Sequence, residues 1–134
     1  MTEHPENFED WARGYGPPSI VRLFIRTVRL DTFDSITPSF AGETEAEAHI
    51  QELVDAFQTG RYVPPLSIHR GRLSDGNHRL VAARRLNRET IEVFNKDLFF
   101  RYPVPSTPKS PRRSRVHEDL RRWRAGEFMN RKNR

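Results

Sequence analysis

The residues best suited to chemistry stand together as Asp75-Gly76-Asn77-His78-Arg79. They lie where a short extended segment ending in Leu73-Ser74 gives way to the helical pattern Leu80-Val81-Ala82-Ala83-Arg84-Arg85-Leu86. Gly76 lets the backbone turn tightly or admit a ligand close to the main chain. The first amides of a helix are unpaired and point outward, so they attract anions. His78 and Arg79 add donors, and a guanidinium can grip a phosphate or carboxylate through two N–H groups. Gly76, Asn77, His78 and Arg79 are therefore candidate phosphate-binding residues. Asp75 and His78 are the candidate catalytic pair, because nucleotide or nucleic-acid hydrolysis needs an acid to hold metal or activate water. A plainer reading competes: Asp75 and Asn77 merely cap a helix, and His78 and Arg79 are solvated.

Other chemistry is thinly represented. There is no cysteine, which excludes disulfides, thiolate zinc sites and a cysteine nucleophile. His4, His49, His69 and His117 are scattered, without the spacing of a metal site, so no metal centre of the chain's own is expected. No Gly-rich Walker loop and no Gly-x-Ser-x-Gly turn occurs.

The elements that must position the turn read as follows. Asn7 caps a short helical turn over Phe8–Arg13, with Trp11 and Tyr15 docking on the body, and Gly14, Gly16, Pro17 and Pro18 ending it. Ser19 to Leu30 reads as strand; Leu23 and Ile25 are out of phase with Val28 and Leu30, which predicts a bulge or two short strands near Arg26-Thr27. A loop from Asp31 to Gly42 leads to a helix opened by a Thr44/Glu47 capping box and stopped at Gly60, with Ile50, Leu53, Val54 and Phe57 as its core stripe. Leu66–His69 and Arg72–Ser74 form a hairpin about Arg70-Gly71. A helix over Asn77–Leu86 buries Leu80, Ala83 and Leu86, and Thr90–Phe94 is a strand. The sum is a small α+β domain over residues 19–102 with a mixed sheet and two main helices, preceded by an arm, 1–18. A Pro-rich linker and a basic helix capped by Ser114, about Arg115 to Ala125 with Val116, Leu120 and Trp123 as a narrow stripe, make up 103–134.

Taken in this order, Pro-Pro-Leu-Ser-Ile, the hairpin, Asp-Gly-Asn-His-Arg, the Ala-rich helix and Thr-Ile-Glu-Val-Phe, residues 28–95 resemble the ParB/sulfiredoxin superfamily. The resemblance implies that the strand-to-helix turn binds nucleotide phosphates, with ATP or CTP and Mg²⁺ as the implied cofactor; Asp75 is compatible with the magnesium. Asn77 stands where sulfiredoxins carry their cysteine, so sulfinic-acid reduction is excluded. The segment after Phe94 is too short for the helix-turn-helix domain of partition proteins. The box also looks like the Asp-Gly-His-His-Arg form of free-serine kinases in the same superfamily, which use an upstream acid as base. Asp34, Glu43 and Glu45 occupy the corresponding region, without a secure alignment for any of them.

Charge divides the chain. Of 23 basic and 18 acidic side chains, residues 103–134 hold ten and three, leaving that segment at +7 and residues 1–102 at −2. Arg112, Arg113, Arg115, Arg121, Arg122 and Arg124 are candidate nucleic-acid contacts, and Trp123 a candidate to stack on an unpaired base. The alternative is a solvated tail whose apolar stripe packs on the body or on a second copy. No stretch approaches the ~18 apolar residues of a membrane span, so no membrane partner is expected. The acidic start lacks the apolar region of a signal peptide, and a cytoplasmic location is the expectation. The leading expectation is a nucleotide- or phosphate-binding protein acting on or beside DNA, with NTPase or nuclease activity open. The alternatives are a nucleotide-dependent small-molecule kinase and a non-catalytic adaptor or inhibitor. Nothing in the sequence fixes the nucleobase or the oligomeric state.

Overall fold

A computed structural model describes residues 5–38, 44–70, 72–101 and 111–126; at 44, 45 and 111–117 the backbone alone is described. The fold is α+β, with one mixed four-stranded sheet. In chain order the helices are α1 (Phe8–Ala12), α2 (Pro18–Val21), α3 (Thr44–Thr59), α4 (Asn77–Arg85), α5 (Lys96–Arg101) and α6 (Pro111–Arg124). The strands are β1 (Ile25–Arg29), β2 (Leu66–His69), β3 (Arg72–Asp75) and β4 (Thr90–Asn95). The sheet runs β1-β4-β2-β3, with β2 parallel to β4 and the other two pairs antiparallel.

Asn7 caps α1 as expected, its side-chain oxygen accepting from the Asp10 amide at 2.9 Å. Trp11 and Tyr15 dock edge-on against Phe94, with ring centroids 5.3 and 4.9 Å away. The long strand expected over Ser19–Leu30 shrinks to Ile25–Arg29. Pro18, far from ending a helix, opens α2, since its fixed φ suits a first helical position. A 3-10 turn over Arg22–Phe24 follows, and another over Leu30–Phe33. Val21 and Phe24, three residues apart, are thereby both buried, which a strand's alternation would forbid. The bulge predicted near Arg26-Thr27 is absent from β1, whose register with β4 is continuous; the irregularity lies in the β2–β3 pairing, where Ser67 faces Asp75, Ile68 faces Leu73, and Ser74 is left over.

α3 runs as its spacing predicts. Of the expected capping box, the Thr44 side chain lies outside the described residues, and Glu47 serves another purpose. Both its carboxylate oxygens accept from the Arg85 guanidinium, at 2.5 and 2.9 Å, tying α3 to α4. Ile50, Leu53 and Val54 pack with Ala82 between the two helices, while Leu80 and Ala83 turn towards the main core with Leu66, Ile68, Ile91 and Val93. Leu86, expected to be buried, is only partly so and caps the end of α4.

Two features at the C-terminal end depart from expectation. α5 follows β4 directly, its entry secured by the buried Asn95 side chain, which accepts from the Leu98 amide at 3.1 Å. α6 begins at Pro111, another proline at a helix start, so Ser114 falls inside the helix and not at its first position. Residues 103–110, expected to form the linker, lie outside the described residues. Leu120 and Trp123 join the main core, and Trp123 is fully buried. α6 is thus an inner part of the domain.

Candidate functional site

The turn from β3 into α4 is built around Gly76. Its φ of 107° belongs to the left-handed region. A Cβ there would stand 2.6 Å from Leu66 Cδ2 and 3.3 Å from Leu66 Cα, so only glycine fits. This close approach presses the turn onto β2 and aims the start of α4 outward. Gly76 is itself the N-cap of α4, and no side chain caps that helix. The plainer sequence reading, with Asp75 and Asn77 as caps, therefore does not hold. Asn77 is the exposed first residue of the helix, and Asp75 turns back to Arg79. The first turn holds no acid, while Arg84 and Arg85 occupy the last; the partial positive charge of the helix start is left uncompensated from within.

Arg79 is placed otherwise than a free phosphate clamp would be. Its Nη1 donates to the Pro65 carbonyl oxygen at 2.5 Å, and its Nη2 to Asp75 Oδ2 at 3.4 Å. With its side chain 16% exposed, it braces the turn against the segment leading into β2. The Asp75 carboxylate remains 53% exposed beside the cap. His78 is half-buried, its ring meeting that of His49 on α3 edge-on at 4.8 Å. His49 in turn stands 3.6 Å from Glu52. Gly76, Asn77, His78, Arg79 and Asp75 are thus brought to one place, with His49 and the Pro65 carbonyl as neighbours that the sequence did not announce. His49 belongs to the start of α3, and no local pattern links it to residue 78.

No family model, curated protein or solved structure matches this chain.

Of the upstream acids, Asp34 falls elsewhere. Asp34 lines a recess of about 270 Å³ with Asp31, Arg84, Asn87 and Arg88, at the C-terminal end of α4. Nine residues of helix, at 1.5 Å each, put that end about 13 Å from the turn. Glu43 and the Glu45 side chain lie outside the described residues. Among the described residues, no group of three or more His, Asp or Glu side chains is placed to hold a metal ion. A larger cleft of about 480 Å³ opens beside the β1–β4 pair, where Thr27 faces Glu92 across the strands. Tyr62 lines it, and burial first, then the Glu92 charge, pushes its phenol well above the usual value.

On α6, Arg121 pairs with Glu118, Arg124 is exposed and Arg122 half-exposed. The side chains of Arg112, Arg113 and Arg115 lie outside the described residues. Trp123 is unavailable for stacking on a base. It is sealed in the core, with the Arg26 guanidinium 5.2 Å over its ring. Burial draws Arg26 below its ordinary pKa. Among the described residues, no helix is long and apolar enough to cross a membrane.

Proposed function

We propose that this chain is a phosphate-ligand-binding protein of the ParB/sulfiredoxin-like type that acts on or beside DNA. The observation that supports it is the uncapped first turn of α4, held open by a glycine packed directly on Leu66. Outward amides at Asn77, His78 and Arg79 suit the oxygens of a polyphosphate, and the helix dipole favours their charge. Arg79 serves as the brace that holds those amides in position. The exposed Asp75 carboxylate suits the Mg²⁺ that accompanies ATP or CTP. When bound, that ion would neutralise phosphate charge; the chain's own part is to hold the phosphates and fix their place. The arginines of α6, carried on a helix anchored by Leu120 and Trp123, supply attraction to a nucleic-acid backbone.

Thermal unfolding with ATP, CTP or GTP and Mg²⁺, for wild type beside Asn77→Asp, tests this reading. A carboxylate at the first helical residue favours the helix dipole but repels phosphate. Asn77→Asp should therefore melt higher than wild type without ligand and lose the response to nucleotide. In wild type, a nucleotide at 100 times its Kd adds about 2.7 kcal/mol. A wild type unmoved by every nucleotide, or an Asn77→Asp protein that responds as wild type does, refutes the reading.

A further inference from the structure

With Trp123 buried, the aromatic side chain offered to solvent is a different one. Phe100 on α5 is 60% exposed, and is the large apolar side chain so exposed among the described residues. It is held in place rather than left free. Its ring meets those of Phe99 and His69 at steep angles, with centroids 5.6 and 6.1 Å away, and keeps most of its surface exposed. The His69 Nδ1 lies 3.3 Å from Asp97 Oδ1. The same carboxylate oxygen accepts the Arg70 amide at 2.7 Å and so fixes the β2–β3 turn, where Arg70 adopts φ 54°.

The strand that carries His69 leads into an arginine-rich turn. Arg70 and Arg72 flank the turn, both exposed, and Arg72 pairs across the hairpin with His69. Neither guanidinium has an ion-pair partner among the described residues. Arg101 follows Phe100 directly and reaches Asp119 at 3.5 Å. Asp97, the acid beside this turn, accepts the Arg70 amide. An exposed aromatic ring on a surface rich in arginine suits the unpaired bases and phosphate backbone of a single strand, whereas a duplex keeps its base faces covered.

We propose that the Phe100 face, with Arg70, Arg72 and Arg101, binds single-stranded nucleic acid by stacking one base on Phe100. This deepens the nucleic-acid half of the proposed function and is independent of the phosphate turn. The test is fluorescence anisotropy on the full chain with a labelled oligothymidine of about 15 nucleotides, a length within single-strand site sizes, and with a duplex of equal length. Phe100→Ala should weaken single-strand binding about 10-fold or more and leave duplex binding unchanged, while Phe100→Trp restores the single strand. Arg70→Gln/Arg72→Gln should weaken single-strand binding and flatten its salt dependence. Phe100→Ala should keep the wild-type response to nucleotide in thermal unfolding, which separates this face from the turn. The proposal is overturned if Phe100→Ala binds the single strand as wild type does, if Phe100→Trp fails to restore it, or if both substrates lose equally. It is also overturned if wild type ignores the single strand; binding of duplex alone would then leave the α6 reading standing, and binding of neither would remove both. A dimer that Phe100→Ala converts to monomer would assign the face to a second copy instead.

Discussion

Gly76 concentrates more constraint than any other residue of the turn, because a left-handed φ and a contact with Leu66 meet at one Cα. Gly76→Ala should lower stability by about 1–3 kcal/mol, the scale of a strained backbone position, before any packing penalty. Urea unfolding gives that number directly, and a cycle with Leu66→Ala should show non-additive coupling between the two sites. Tyr62 provides a second residue-level test, this time through pH. Its phenol loses its proton less readily in the folded protein than at its ordinary value of 10.0. The unfolded state therefore ionises first, and stability should be full below about pH 10 and fall as pH rises beyond it. Tyr62→Phe should remove that alkaline decline in melting temperature.

Elements tell a similar story of local signals overruled by burial. Trp123→Ala should cost about 3–5 kcal/mol, as large core truncations do, and deletion from residue 111 onward should expose the core to a hydrophobic dye. Charge substitutions on α6 are consequently the sound way to probe its contacts. At α3 and α4, the Arg85 pair holds the Glu47 carboxyl below its usual range. That contribution is present above the ordinary carboxylate pKa of 4.5 and is lost as pH falls below it. Glu47→Gln should flatten the acid side of the stability profile. Strongly periodic stretches were legible in advance: α3 through Ile50, Leu53, Val54 and Phe57, and α4 with its glycine turn. Ser19–Phe24 was not, because β-branched and aromatic residues favour a strand while Pro18 and the spacing of Val21 and Phe24 favour a helical turn, and the tertiary core decided between them. α5 left one sign, Asn95 three residues before Leu98, too slight to read without knowing that Asn95 is buried. At the site, the motif located the turn, yet the partner of Arg79 is a backbone carbonyl fourteen residues away, which no side-chain pattern encodes.

For the molecule as a whole, the net charge of +5 is carried by its C-terminal segment, and the proposed contact with nucleic acid should be governed by salt. Arg121→Gln/Arg124→Gln should weaken binding to unrelated duplexes alike and reduce the slope of log affinity against log salt by about 2. A titration series between low and physiological salt measures it. One consequence concerns how such a chain is made. β1 pairs with β4, across about half the sequence, and the core that both help form closes over Trp123. During synthesis the first strand must wait for residue 90 to find its neighbour, and the apolar interior stays wet until residue 123 has emerged. A chain stalled before that point is a client for chaperones and proteases, and distant pairings of this kind slow folding even once synthesis is complete. α6 is thus a latch of the fold as well as a strongly basic element, so only chains synthesised and folded through α6 display that helix's arginines in place.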